Sequence, residues 1–358
     1  MSAEFTHGVM EGEGAYNAHA KLQARGGSLA LSVLDQAIRN VLIDPGSSPI
    51  VIADYGSSQG KNSLIPMGTA ISGFRTRIGP NRSILIFHID QPSNDFNSLF
   101  RVLDKDPETY ITNDANLYPA AIGKSFYEQV LPVNSVHLGW SSYAAMWLSR
   151  MPAFLPDHFI PICSRSAARD EFDRQARRDW ETFLSQRAHE LTLGGRLVVI
   201  LPGIAQDGSV GLESLFDHAN AVLAEMVADG TIGSEERSRM TVITHPRPES
   251  ELLRPFESTG EFQKLLVEDC QSFPLLDSAW QEYELTGDQQ PLIEGQALFF
   301  RTAFLPSLAC ALNPSRTRNG RLNHFADQLV SRLKQRLSTE PSPMHSIVQT
   351  MVFAKKRE

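Results

Sequence analysis

The stretch Ile52 to Asn62, IADYGSSQGKN, leaves an apolar run, turns through Gly56 and Gly60, and enters a helix-like segment at Ser63. Small residues at such a turn let a ligand approach the backbone, and the N-terminus of the following helix favours polar or anionic groups. Asp54, at the end of the apolar run, is placed to orient the loop or contact a ligand. A second apolar run ends in FHIDQPSNDFN, Phe87 to Asn97. It sets Asp90 at the carboxyl edge of a strand, where an acidic residue commonly accepts both hydroxyls of a ribose. Together the two stretches form a nucleoside-binding pattern. GSSQG also fits the G-x-S-x-G nucleophile elbow, in which Ser58 would attack an ester. That competing reading needs a later acid and histidine, and His189, His218, His245 and His324 are available. No metal is expected: the ten histidines form no H-x-x-x-H pair, and His88, beside Asp90 on alternate positions, reads as strand packing.

The elements that must position these residues are visible as apolar runs of strand length. They fall at Ile50 to Ala53, Ile84 to Ile89, Ser135 to Leu138 and Arg196 to Leu201, between longer helix-like stretches. Such alternation predicts a parallel sheet covered on both faces. Helical spacing marks Leu29 to Leu42, a short helix is expected to begin over Tyr143 to Leu148, and a long one covers Arg169 to Leu191. In the long one, Phe172, Ala176, Trp180, Phe183, Leu184 and Leu191 fall on one stripe, and Gly194 and Gly195 read as its stop. After Pro202, segments such as Leu212 to Val227 and Pro248 to Phe256 follow without clear strands. A helix over Leu322 to Leu337 and a strand over His345 to Ala354 then return the chain to the sheet. The expected organisation is an α/β core from residues 1–204 and 338–358, with a mostly helical cap over 205–337.

The 358 residues suggest about two domains, or one with a large insertion. Thirty-three Lys plus Arg against forty-one Asp plus Glu leave a formal charge of −8, the wrong sign for wrapping nucleic acid. Cys163, Cys270 and Cys310 lack CxxC spacing, which excludes a disulfide framework or structural zinc as the organising feature. The first residues carry no signal-peptide pattern, and no run of apolar residues is long enough to span a bilayer. A cytoplasmic protein without membrane or nucleic-acid partners is expected.

Five ordered segments resemble the SABATH methyltransferases, the family of salicylate, benzoate and jasmonate carboxyl methyltransferases and caffeine-pathway N-methyltransferases. MEGEGAYNAHAKLQ, Met10 to Gln23, resembles the family's Gly-rich opening, which is followed by Tyr and then Gln. IADYGSSQGKN resembles its IADLGCSSGxN loop and FHIDQPSNDFN its NDLPxNDFN segment. GKSFYEQVLP, Gly123 to Pro132, resembles GSFYxRLFP, and SSYAAMWLSRMP, Ser141 to Pro152, resembles SSYSLMWLSQVP. The run Asp179 to Gly203 adds a looser match to DFxxFLxxRxxELxxGGxMVL.

The resemblance implies a Rossmann-like class I methyltransferase core with a helical cap, acting on a small carboxylic acid as a homodimer. It implies S-adenosylmethionine contacts at Tyr16, His19, Asp54, Gly56, Asn62, Asp90, Gln91, Ser125 and Phe126. His19-Ala20 stands where the family usually has Asn-Ser, Gln91 where it has Leu, and Ser57 where it has Cys. A substrate pocket is implied at Gln23, Tyr143, Met146 and Trp147. A carboxylate, with a pKa near 4, is already ionised at neutral pH and needs no general base. The protein must instead supply alignment, with the Gln23 amide and the Trp147 indole N–H as neutral donors to its two oxygens. Met146, where caffeine-pathway members tend to carry His, favours an acceptor acid on an apolar body. N- or O-methylation of a heterocycle or phenol is the alternative within the class, and a phenol would need a base. Phe299, Phe300 and Phe304 read as cap residues that line the pocket or pack the cap itself.

Overall fold

The computed structural model describes residues 27, 30–111, 114–313 and 320–357. Tyr16, His19 and Gln23 lie outside the described residues.

After helix α1 (Leu31–Asn40), strand β1 (Ile50–Tyr55) leads through the glycine loop and a short 3-10 turn (Lys61–Ser63) into α2 (Leu64–Ile78). Strand β2 (Ile84–Asp90), α3 (Phe96–Lys105), β3 (Leu117–Gly123) and β4 (Val136–Ser142) follow, and then α4 (Arg169–Glu190) and β5 (Leu191–Pro202). Helices α5 (Glu213–Ala228), α6 (Ser234–Arg239) and α7 (Glu249–Leu253) precede strand β6 (Leu265–Leu275). Helices α8 (Ser278–Thr286), α9 (Gln290–Ala303), α10 (Leu305–Ala309) and α11 (Arg321–Thr339) lead to the last strand, β7 (Ser346–Lys355).

The strands form one seven-stranded sheet in the order β3-β2-β1-β4-β5-β7-β6. The first five run parallel, and β7 lies antiparallel to both β5 and β6. Connections diverge to either side of β1 and β4, which makes their carboxyl ends the crevice where open α/β sheets bind ligands. Period-2 alternation divides the sheet between two cores. Ile50, Ile52, Leu138, Trp140, Val198 and Ile200 pack with Leu34, Ile38 and Phe74 from α1 and α2. Val51, Ala53, Tyr55, Leu197, Val199 and Phe353 pack with Trp180, Phe183 and Leu184 from α4. Every residue of β1 is buried, as a central parallel strand requires. A third cluster, with Phe216, Leu223, Phe300, Phe325 and Leu329, is the core of the helical region.

Three expectations are corrected. Tyr143 to Leu148 is not a helix but a tight turn beyond β4, with Tyr143 at φ 55. Helix α4 ends at Glu190, before the glycine pair, because Leu191 is already extended. Gly194 and Gly195 instead belong to an irregularity inside β5, where Val136 pairs with Leu191 but Leu138 with Arg196. The 205–337 segment is not wholly helical, since it supplies edge strand β6. Strand β3 at the opposite edge also escaped the pattern. Pro119 and Pro274 interrupt these two strands, and proline is tolerated at sheet edges, where one side of the backbone needs no ladder bond.

Candidate active site

The cofactor-side groups are assembled at the carboxyl ends of β1 and β2. Gly56 and Ser57 both donate backbone N–H to Ile89 O, at 2.8 and 3.2 Å, and Ser58 N–H donates to Asp90 Oδ2 at 2.7 Å. Gln91 N–H occupies Asp90 Oδ1 at 2.7 Å. The loop is thus docked onto β2, and these N–H groups are spent on that docking rather than left as an anion cradle. Asn94 Nδ2 adds a bond to Ser58 O at 2.8 Å, while Asp95 caps α3 by accepting Ser98 N–H at 3.0 Å. These contacts explain the NDFN run: one residue fixes the loop and the next starts a helix.

Burial pushes the Asp90 carboxyl up to about 6, with the nearby Asp54 charge adding to the rise against the two backbone N–H bonds. Each Asp90 oxygen has one N–H and a remaining lone pair, the capacity needed for two ribose hydroxyls. Asp54, 2 % exposed, is engaged inside the fold. Its Oδ2 accepts Ser63 Oγ–H at 2.5 Å and lies 2.9 Å from His88 Nδ1, and His88 Nε2 lies 2.6 Å from the Tyr110 hydroxyl. His88 is therefore a polar link between Tyr110 and Asp54, not simple strand packing.

Gly56 has φ +90, and an added Cβ would sit 2.1 Å from Ala144 Cβ and 3.8 Å from Phe126 Cε1. The glycine loop, the Ser125–Phe126 segment and the turn after β4 therefore meet at this one residue. Asn62 lies in the 3-10 turn at the loop's end, Gln91 directly follows Asp90, and Ser125 Oγ accepts Tyr127 N–H at 3.3 Å. Ser57 Oγ is buried in the loop without a hydrogen-bond partner among the described residues. Free acceptor capacity on Asp90, an unsatisfied hydroxyl and an aromatic wall at Phe126 fit an adenosyl group.

Next to this crevice, Tyr143, Met146 and Trp147 line a cavity of about 750 Å³, counted with its open mouth. Cap residues Leu212, Phe216, Phe299, Ala303 and Phe304 form its roof, and no charged side chain lines it among the described residues. Phe300 is fully buried in the cap core instead. The polar groups are the Trp147 indole N–H and the hydroxyls of Tyr143, Thr244 and Ser346. The indole N–H has no partner among the described residues.

Two buried networks hold these walls; Asp179, Arg187 and Glu190 fall on the fixed positions of the DFxxFLxxRxxEL match, but their partners carry no local signal. Arg187 and Glu190 are fully buried and paired at 2.9 Å. Arg187 donates to Phe126 O and Glu128 O at 2.9 and 3.0 Å and lies 4.0 Å from the Tyr55 ring centre. Glu190 accepts Tyr55 O–H at 2.6 Å and the N–H groups of Val130 and Leu131 at 2.5 and 3.0 Å. The segment bearing Phe126 is thereby fixed to β1 and α4. On the substrate side, Arg247, 0 % exposed, donates to Ala145 O at 2.9 Å and Ala176 O at 3.0 Å. Asp179 accepts Ser149 N–H at 2.8 Å and Ser149 Oγ–H at 2.6 Å, and Tyr127 O–H donates to Trp147 O at 2.6 Å. Both ends of the Tyr143-to-Ser149 turn are thus clamped.

The hydrolase alternative gains nothing from this geometry. Ser58 has the positive φ of a nucleophile elbow, at 49°, but its hydroxyl bonds to no histidine among the described residues. His158, Cys163 and Asp217 bring possible metal-ligand atoms within 4.8 Å. However, His158 Nδ1 accepts Ile160 N–H at 3.1 Å, which leaves the neutral ring's proton on Nε2, the nitrogen that faces Asp217. A metal-bound histidine needs the opposite arrangement, with its second nitrogen donating.

A sheet of this order, with the glycine loop and Asp90 at its switch point and an apolar cavity beside them, has the class I methyltransferase fold. The solved structure described as loganic acid methyltransferase with SAH shares it. The two superpose with a TM-score of 0.78 at 20% identity, covering 98% of this chain and 99% of that one. A family model for SAM-dependent carboxyl methyltransferases matches residues 4–350, and the chain belongs to that family. It is 30% identical over 275 residues to the methyltransferase LUC1 of a Fusarium species, covering 73% of this chain and 71% of the other. The loganic acid O-methyltransferase of Catharanthus roseus is 31% identical over 219 residues, 55% of each chain. The salicylate carboxymethyltransferase of Clarkia breweri is 28% identical over 260 residues, 68% of this chain and 71% of that one. The protein is a methyltransferase that uses S-adenosylmethionine to methylate the carboxylate of a small organic acid. No helix among the described residues is long and apolar enough to cross a membrane.

Proposed function

We propose that the acceptor is a carboxylic acid with an apolar body, held by neutral donors in the cavity beneath the cap. The observation that carries this reading is the lining, uncharged among the described residues, with the Trp147 indole N–H unpartnered among them. A cationic clamp would pair tightly with a carboxylate and reduce its nucleophilicity. The Trp147 N–H, with the Gln23 amide supplying the second donor, orients the anion and leaves a lone pair free. S-adenosylmethionine, when bound, supplies the electrophilic sulfonium methyl. Asp90 holds the ribose hydroxyls, and Gly56, Asn62, Gln91, Ser125 and Phe126 shape the adenosyl site. Asp54 orients the glycine loop through Ser63, while Tyr16 and His19 complete the methionine end. Closure of the cavity by Phe299 and Phe304 excludes water, and alignment of this kind is worth roughly 7–11 kcal/mol of barrier.

The same reading assigns residues 205–337, apart from β6, to the cap that closes the site, and places the enzyme in the cytoplasm as a homodimer. The three unpaired cysteines suit a reducing compartment, and the family resemblance supports the dimer. The test is methyl transfer from labelled S-adenosylmethionine to a panel of acids, phenols and heterocycles. Ester formation on acids is expected, with Trp147→Phe lowering kcat while leaving cofactor affinity unchanged. Transfer only to nitrogen or phenolic oxygen would overturn the carboxylate assignment.

A further inference from the structure

The polar groups of the cavity are unevenly distributed. Trp147 and Thr244 form an isolated antiparallel bridge, so Thr244 belongs to the end where the carboxylate is held. Ser346 opens β7 at another wall, 7 % exposed, and its hydroxyl has no hydrogen-bond partner among the described residues. A hydroxyl that opens onto an apolar cavity loses its water when a ligand fills the cavity, at a cost of about 1–3 kcal/mol unless the ligand bonds to it.

Backbone pairing sets these ends apart. The segment from Thr244 to Arg247 runs from Trp147 to Gly203, where Arg247 forms a second bridge. Gly203 N–H bonds Ile347 O at 2.8 Å, directly beside Ser346. Three residues of chain span at most roughly 10 Å. In the sheet, Tyr143 N–H bonds Ile200 O on β5 at 2.8 Å, so the turn lies two strand positions from β7. That is a lateral distance of roughly 10 Å. The walls between are apolar: Pro246, Val210, Phe216 and Ile347.

We propose that Ser346 is a specificity-determining residue: the natural acceptor is an elongate, mainly apolar monocarboxylic acid with a hydroxyl or carbonyl oxygen at the end remote from its carboxylate, bonded by the Ser346 hydroxyl. This rests on the carboxylate reading above and adds the distal polar group. A site built to bond an oxygen disfavours the analogue that lacks it, because its own hydroxyl is then left unpaired.

The experiment compares ω-hydroxydecanoic acid with decanoic acid, and includes benzoic and salicylic acids, in the parent enzyme and in Ser346→Ala. The parent is expected to favour the hydroxy acid about tenfold in kcat/KM. Ser346→Ala should bring the two acids to near parity, by losing activity on the hydroxy acid and gaining it on decanoate, with the melting temperature unchanged. Equal kcat/KM for the two acids in the parent, or a preference that survives in Ser346→Ala, would overturn the Ser346 assignment alone. Turnover of benzoate or salicylate with neither decanoic acid accepted would do the same. No turnover of any acid would remove the carboxylate reading, and this inference with it.

Discussion

Gly56→Ala tests the junction on which the proposed cofactor and acceptor sites both depend. The new Cβ would lie 2.1 Å from Ala144 Cβ, against an ordinary carbon contact of about 3.5–4.0 Å, so one of the two segments must move by about 1.5 Å. The backbone at φ +90 adds a second penalty, since L-residues pay about 1–2 kcal/mol for left-handed conformations. With about 1–3 kcal/mol for overpacking, the expected destabilisation is about 2–5 kcal/mol. The two causes are separable. Ala144→Gly by itself costs about 1 kcal/mol, the usual glycine penalty, and in the double variant it removes the overlap while the φ penalty remains. The double variant should therefore be more stable than the sum of its singles by about 1–3 kcal/mol. Urea unfolding reads this coupling, and calorimetry with S-adenosylhomocysteine reads the site, where Gly56→Ala should weaken binding at least tenfold and the double variant recover part of it. Strictly additive stabilities would refute the contact, and full ligand affinity in Gly56→Ala would refute the role of the junction.

Asp90 makes two pH predictions of opposite sign. Its folded-state pKa of about 6 lies above the usual 3.8, so its contribution to the unliganded fold is full below the usual value and is lost as pH rises through 6. Cofactor binding, for which the proposed site uses the ionised acceptor, should instead weaken on acidification through the same value, and Asp90→Asn should flatten that profile in calorimetric titrations. Glu190→Gln leaves Arg187 buried without its carboxylate and should cost about 3–5 kcal/mol in unfolding experiments. Arg247→Met removes the donors to Ala145 O and Ala176 O. It should lower kcat more than cofactor affinity, and an equal loss in both would show that Arg247 supports the whole fold rather than the Trp147 turn.

Much of the site was legible because it is local in sequence. A glycine loop following an apolar strand, an acid ending the next strand and the SSYAAMWLSRMP run each occupy a few consecutive residues. Their chemistry depends on backbone geometry that such residues impose wherever they occur. Asp54 was placed correctly at the end of β1, but its partners Ser63 and His88, and Tyr110 beyond His88, come from three separate segments. The sequence order of those residues carries no sign that they meet.

What the sequence alone determined about this protein is its family chemistry, its α/β alternation and the short runs that build the candidate site. Only the tertiary structure decided where β3 and β6 lie, since mixed polar edge strands acquire their identity from the neighbour they pair with. It also turned Tyr143 to Leu148 away from helix, through bonds from Arg247, Asp179 and Tyr127 that outweigh a weak local preference. The cavity wall is the clearest case. Trp147, Thr244 and Ser346 are separated by about a hundred residues at each step, and they converge because β4, β5 and β7 pair side by side. A hydroxyl becomes a recognition group when packing removes it from water and leaves it no other partner, a condition that no linear pattern encodes.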